Sequence, residues 1–209
     1  MTGRATAVIP IKGLANVKRR LAARLRKHER AALVLRLLAR ELDVVASASG
    51  IGPIIVVTSE ERVARVAEMH GALVALERDD GVNAAVQAGL ERAYAVGAET
   101  VLALHGDLPF VETADVEALL AASAVGVLAI APDRRLRGTN AIVVRRGMAL
   151  GSHFGVDSYQ RFVSAATAEG YTVRTVTTPG LGFDLDEPVD LLEYRARLAR
   201  DVEATGRRL

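Results

Sequence analysis

A chain of 209 residues, 50% hydrophobic and 25% charged, is long enough to bury a substantial core as a single domain spanning 1–209. Its formal charge of +2 is near balance, and the absence of cysteine excludes a disulfide framework, a thiolate zinc site and a cysteine nucleophile. No apolar run approaches the ~18 residues of a bilayer span and the start has no signal-peptide core, so the expectation is a cytoplasmic protein with no membrane partner.

The first predicted element is a buried strand over 6–11, ending at Pro10, where a missing N–H is tolerated. It breaks into a loop holding Lys12, Gly13 and Lys18. In an open α/β sheet, ligands bind beyond the carboxyl ends of the strands, so this loop is placed to meet a phosphorylated ligand. Leu33, Leu37, Leu38, Leu42 and Val45 then recur at helical spacing over 28–48, with Arg36, Arg40 and Glu41 between them as a polar face. Residues 50–53 stop that helix, and the continuous apolar run 54–58 suits a strand covered on both faces. A helix over 60–70, stopped by Gly71, and a strand over 72–76 complete a βαβαβ pattern.

Arg78, Asp79, Asp80 and Gly81 read as a turn into a helix reaching about residue 96, with Asn83 the expected cap. The strand 100–104 runs directly into His105-Gly106-Asp107-Leu108-Pro109. Thr113 is the expected cap of the next helix, whose first turn carries Asp115 and Glu117 as the helix dipole prefers. Strands over 125–131 and 140–145 flank a polar loop, and a Gly-rich stretch over 151–158 precedes a helix over 159–169 and a strand over 172–176. Pro188 sits in the first turn of the closing helix. Strands alternating with helices predict an α/β fold with a mostly parallel sheet flanked by helices.

Two phosphate-binding fingerprints, G-x-x-x-x-G-K-[ST] and a G-x-G-x-x-G after the first strand, are absent, which excludes an ordinary ATPase or dehydrogenase. Arg4, Lys12, Lys18, Arg19, Arg20, Arg24, Arg26, Lys27 and Arg30 precede nearly all the acids and make a local positive field suited to a polyphosphate. With 4% aromatic residues and no helix-turn-helix, zinc-finger or RNP pattern, the composition argues against a nucleic-acid partner. Asp107 and the pair Asp184 and Asp186 fall at the sheet rim, and Mg²⁺ is commonly held by one or two carboxylates together with substrate phosphates. The plainer reading, that Asp107 starts a turn and Asp186 caps the last helix, leaves the lysines unexplained. The four histidines form no i, i+4 pair, so no zinc site is expected. Thr139 and Ser158 lack a Ser-His-Asp context and read as hydrogen-bond donors.

In order along the chain, residues 9–21, Gly81-Val82-Asn83, Gly106-Asp107-Leu108-Pro109, Ala131-Pro132-Asp133, Gly138-Thr139-Asn140-Ala141, Phe154-Gly155-Val156-Asp157-Ser158 and residues 184–191 resemble the 2-phospho-lactate guanylyltransferase family (CofC/FbiD). The resemblance implies a single-domain nucleotidyltransferase fold of glycosyltransferase-A-like form. It implies transfer of GMP from GTP to a small phosphorylated carboxylic acid with release of pyrophosphate, in coenzyme F-420 biosynthesis. Phosphoenolpyruvate is the favoured acid, with 2-phospho-L-lactate and 3-phosphoglycerate as the others. By the same resemblance Lys12, Lys18 and Asp107 are catalytic, and Pro10, Lys12, Lys18, Gly81, Asn83 and Asp107 contact GTP. Asp107 and Asp186 hold Mg²⁺ with Asp184 as helper, and Thr139, Asn140, Gly155 and Ser158 take the acceptor acid. A homodimer is compatible with it.

The chain departs from the family at Gly13, where proline is usual, at His105-Gly106, where Pro-Ala is often found before the aspartate, and near Phe162, where a histidine is common. Other readings stay open: a molybdopterin- or sugar-nucleotidyltransferase, or a glycosyltransferase, because Asp184-Leu185-Asp186 has the D-x-D form, and a non-catalytic nucleotide- or RNA-binding module using the basic cluster.

Overall fold

The computed structural model describes residues 3–76 and 81–205, so the expected turn residues Arg78, Asp79 and Asp80 lie outside the described residues. The apolar runs become strands β1 (Ala5–Pro10), β2 (Ile51–Thr58), β3 (Leu73–Leu76), β4 (Thr100–Leu104), β5 (Val127–Pro132), β6 (Thr139–Arg145) and β7 (Thr172–Thr175). The helical periodicities become α1 (Lys27–Ser47), α2 (Glu61–Met69), α3 (Val82–Ala95), α4 (Thr113–Ala122), α5 (Ser158–Ala168) and α6 (Pro188–Thr205). The strands form one sheet in the order β3-β2-β1-β4-β6-β5-β7.

All neighbouring strands run parallel except at β6, which is antiparallel to both β4 and β5. That reversal positions the site. Leu104, the last residue of β4, pairs with Ala141 near the start of β6, and Pro132 at the end of β5 pairs with Thr139. The carboxyl ends of β1, β4 and β5 therefore share one rim with the amino end of β6.

Side chains alternate across the strands, so each face of the sheet buries its own layer. Ala7, Ile9, Leu102 and Leu104 pack with Leu38, Leu42 and Val45 of α1, Val63 of α2 and Leu119 of α4. On the other face Val8, Ile55, Val57 and Ala103 pack with Val86 of α3 and Phe162 of α5. A third cluster lies beside the sheet, joining Leu21 and Leu25 of the lysine loop, Leu33 and Leu37 of α1, and Phe183, Leu185, Leu191 and Tyr194 at the C-terminal end. Among the described residues, no helix is long and apolar enough to cross a membrane.

Several local expectations are corrected. Pro53 belongs to β2 and does not merely stop α1; it sits where the β1 register shifts and ahead of the β2–β3 pairing, which starts at Ile55, so its missing N–H breaks no central ladder. Gly81, at φ 99°, is the cap residue of α3, and Asn83 lies in the first turn. Glu112 precedes α4 and its backbone N–H bonds the Asp115 carboxylate at 2.8 Å, which makes Thr113 the first helical residue.

Glu41 is not on a polar face. It is fully buried, with both carboxylate oxygens lacking a hydrogen-bond partner. Because α1 is wrapped by the sheet on one side and the third cluster on another, its buried arc is wide enough to include this acid. Burial, and then the neighbouring charge of Asp107, raise the Glu41 pKa well above the ordinary carboxylate value.

Helix α3 approaches β1 closely enough that only glycine fits at residue 89: a Cβ there would stand 2.2 Å from Val8 Cγ1 and 3.0 Å from Val57 Cγ2. Gly89→Ala is expected to destabilise the fold by about 1–3 kcal/mol through overpacking. Urea unfolding reads this directly, and an unchanged midpoint would contradict the close approach.

Candidate active site

The loop after β1 turns sharply at Lys18, a non-glycine residue in the left-handed region with φ 49° and ψ 46°. That backbone is disfavoured by roughly 1–2 kcal/mol per residue, so its surroundings must hold it. They do so at several points. Leu14 N–H donates to Glu60 Oε2 at 3.2 Å, Arg30 Nε donates to the Val17 carbonyl at 3.0 Å, and Leu21 N–H donates to the Lys18 carbonyl at 2.9 Å. Leu14 and Leu21 are both buried anchors.

So held, the Lys18 side chain is 6% exposed and its Nζ donates to Asp107 Oδ2 at 2.5 Å and to Asp186 Oδ1 at 2.7 Å. Asp107 arrives from β4: His105 N–H extends the β4–β6 pairing to the Asn140 carbonyl at 2.9 Å, and the chain then turns through Gly106. A Cβ on Gly106 would stand 2.1 Å from Ile11 Cδ1, so glycine lets this turn lie against the end of β1. Asp184 and Asp186 arrive on an extended segment whose alternation buries Phe183 and Leu185 and turns both aspartates out. Leu185 N–H bonds the Asp107 carbonyl at 3.1 Å, locking the two acidic segments together.

Burial by itself lowers the Lys18 pKa, but Asp107 and Asp186 more than reverse it and the ammonium is held charged well above its usual range. Burial raises the Asp107 pKa, and Lys18 and His105 overcome that, leaving it below the ordinary carboxylate value. Asp184 lacks such a partner: burial, then Asp107 and Asp186, push it up to about 6. Burial lowers the His105 pKa, against the opposing pull of Asp107. The ring packs on Phe154 at 5.0 Å between centroids, and its Nε2 is buried without a partner.

A cleft of about 460 Å³ opens in front of these groups. His105, Asp107, Thr139, Asn140, Gly155, Ser158, Asp184 and Asp186 line it, together with Arg20 and the arginine-rich β5–β6 loop. Thr139 and Ser158 are buried, and their hydroxyl oxygens have no protein partner. Asn140 is also buried, but its Nδ2 is committed to the Leu181 carbonyl at 2.7 Å. The expected plain role of Asp186 as a helix cap belongs instead to Asp190, whose Oδ2 accepts the N–H groups of Asp186 and Glu187 at 3.1 and 2.6 Å.

Eight of the sequence-derived site residues thus meet: Lys18, Asp107, Asp184, Asp186, Thr139, Asn140, Gly155 and Ser158. Four do not join them. Pro10 ends β1 beside Val57, Lys12 is exposed with its charge still felt at His105, Gly81 caps α3, and the Asn83 side chain bonds the Phe154 backbone. Arg134, Arg135 and Arg137 also line the cleft, outside the sequence-derived site residues, although three arginines in four residues of one loop are a visible signal. They span the cleft in ion pairs, Arg134 with Asp190 and Glu193, Arg135 with Glu187 and Arg137 with Asp157.

Among the described residues, no group of three or more His, Asp or Glu side chains forms a ready metal cluster. The donor set nevertheless suits Mg²⁺, which needs one or two carboxylates plus substrate oxygens. Asp107 and Asp186 already converge on one cationic point, and Asp107 Oδ1 is buried with no partner.

Comparison with known proteins gives the same family along the chain. The profile of the guanylyl transferase CofC-like family matches residues 5–196. A phosphoenolpyruvate guanylyltransferase of Sphaerobacter thermophilus is 37% identical over 90% of this chain and 90% of its own, and one of Rubrobacter xylanophilus is 39% identical over 91% and 93%. A 3-phospho-D-glycerate guanylyltransferase of Phenylobacterium zucineum is 38% identical over 90% and 88%. Among solved structures, a nucleotidyl transferase from Methanothermobacter superposes with a TM-score of 0.68 at 17% identity, covering 95% of this chain and 99% of its own. CMP:2-keto-3-deoxy-manno-octonic acid synthetase, solved with CTP, superposes with a TM-score of 0.63 at 16% identity, covering 95% and 100%. At such identities these structures establish the nucleotidyltransferase fold.

Between the ordinary Asp184 pKa of 3.8 and the folded value of about 6, the folded protein keeps a proton that the unfolded chain releases. Stability from this group is therefore present at low pH and lost as pH rises through about 6. Asp184→Asn is expected to raise Tm at pH 8 by on the order of 2–4 °C, with the gain shrinking at pH 5. Equal gains at both pH values in a thermal-melt series would contradict the assignment.

Proposed function

Since this chain belongs to the guanylyl transferase CofC-like family, we propose that it transfers GMP from GTP to a small phosphorylated carboxylic acid, releasing pyrophosphate. Phosphoenolpyruvate is the acid we favour, with 2-phospho-L-lactate and 3-phosphoglycerate as the other acceptors, and coenzyme F-420 biosynthesis is the setting. Relatives named for phosphoenolpyruvate support this choice of acid, while the 3-phospho-D-glycerate relative keeps the second acceptor in view.

The observation that carries the proposal is the Lys18 bridge between Asp107 and Asp186, facing two buried hydroxyls without protein partners. Both reactants are anions, so the reaction needs charge neutralisation and alignment more than a covalent nucleophile. An oxygen of the acceptor's phosphate attacks the α-phosphorus of GTP in line, and the bond to the β-phosphate oxygen breaks. Lys18 and Lys12 bring positive charge to the triphosphate and its leaving group. Asp107 and Asp186, with Asp184 beside them, are the residues that would hold Mg²⁺, which when bound neutralises charge on the phosphate oxygens. Thr139 and Ser158 donate their free hydroxyls to the acid, and Gly155 lets the backbone come close to it. Pro10 and Gly81 belong to the nucleotide side.

Incubating the protein with Mg²⁺, GTP and each of the three acids in turn tests this, with pyrophosphate assayed and the product identified by mass. One acid is expected to yield a GMP adduct and one equivalent of pyrophosphate. Failure with all three, or a nucleoside diphosphate released from a nucleotide-sugar, would overturn the proposal. In the active combination, Ser158→Ala is expected to weaken use of the acid by about 1–3 kcal/mol, with GTP binding near the parent value. A defect confined to GTP in calorimetric titration would show that the two ends of the cleft are reversed.

A further inference from the structure

Asn83 opens a different question from contact with the nucleotide. Its side-chain amide grips both main-chain groups of one residue 71 positions away: Nδ2 donates to the Phe154 carbonyl at 3.1 Å, and Oδ1 accepts the Phe154 N–H at 2.8 Å. Oδ1 also accepts the Ser152 hydroxyl at 2.8 Å. The orientation of the amide follows from these partners, because exchanging its oxygen and nitrogen would set carbonyl against carbonyl and N–H against N–H. The amide pairs with Phe154 as a neighbouring strand would.

This clasp fixes more than one residue. The Phe154 ring is 3% exposed and packs between His105 and Phe162 at centroid distances of 5.0 and 5.1 Å. Gly155 then leaves at φ 121°, a conformation other residues rarely adopt, and the chain crosses the cleft wall to the buried Ser158, whose Oγ has no protein partner. The position of that hydroxyl is therefore set at one end by the start of α5 and at the other by the Phe154 backbone, which Asn83 holds.

We infer that Asn83 is a positioning residue for the acceptor side of the cleft: it fixes the Ser152 to Ser158 loop and thereby sets affinity for the phosphorylated acid. It rests on the proposed function in taking this loop as the acceptor side. Asn83 acts through Phe154 and touches neither the acid nor the reacting phosphorus.

The test uses Asn83→Ala, which removes all three bonds, and Asn83→Asp, which keeps the acceptor but sets an anionic oxygen against the Phe154 carbonyl. In both, the KM for the acid is expected to rise by about threefold to tenfold, in line with the loss of net hydrogen bonds at a partly solvated site, while the KM for GTP stays near the parent value. Amide hydrogen exchange of the substrate-free protein is expected to quicken over 152–158. A raised KM for GTP with the acid unaffected would overturn the inference, as would faster exchange with neither constant changed. Should Asn83→Ala not fold, Ser152→Ala removes a single bond; it must raise the KM for the acid alone, by about twofold to threefold, or the inference fails. If the parent protein turns over none of the acids, the proposed function falls, and unchanged exchange over 152–158 in Asn83→Asp would separately sink the clasp.

Discussion

The ammonium of Lys18, held between Asp107 and Asp186, is the interaction on which the rest of the site depends. Four acids gather at this end of the sheet, because Glu41 lies buried behind Asp107 and Asp184 stands beside Asp186. Burial and neighbouring carboxylates raise Glu41 and Asp184, and without a buried cation they would raise Asp107 as well. Lys18 divides them into two kinds. Asp107 is held ionised, while Glu41 and Asp184, lacking a direct ion-pair partner, are shifted upward. A buried charged pair adds little net stability against an apolar replacement, but removing one partner leaves the other exposed to the full desolvation penalty. Its worth lies in fixing two carboxylates on either side of one ammonium.

The architecture around the bridge serves that placement. Left-handed backbone at Lys18 aims its side chain inward, and the burial of Leu21 against Phe183 and Leu185 fixes the lysine loop to the segment carrying Asp184 and Asp186. The Leu185 to Asp107 backbone bond joins that segment to the end of β4. The single reversed strand, β6, delivers Thr139 and Asn140 to the same rim. Hydroxyls without protein partners and the carboxylates around Lys18 come together there because one strand of the sheet runs against its neighbours.

What the sequence revealed and what it hid divide along physical lines. Strand and helix succession was legible because apolar periodicity and the Gly and Pro stops are local signals, and Asp107 was legible because it follows a continuous apolar strand directly. Asp184 and Asp186 were legible through their D-x-D form and the family resemblance over residues 184–191. Glu41 was misread because helical spacing shows which residues face a core but not how wide the buried arc becomes when a helix packs on two sides. Thr113 was misread as a cap because a reciprocal bond between Glu112 and Asp115 moves the boundary by one residue. The commitment of Asn83 to Phe154 and the partners of Arg134, Arg135 and Arg137 across the cleft lie far apart in the chain, and although the arginine cluster is visible in the sequence, no local pattern announces those partners.

The proposed catalytic unit is Lys18 with Asp107 and Asp186, and a double-mutant cycle on pyrophosphate release under single-turnover conditions tests it most directly. Lys18→Met and Asp107→Asn are each expected to slow release on the order of 10²–10³-fold, and the double variant to be little slower than the worse single one, as residues acting together behave. Parental rates in Lys18→Met, or losses that simply multiply in the double variant, would contradict it.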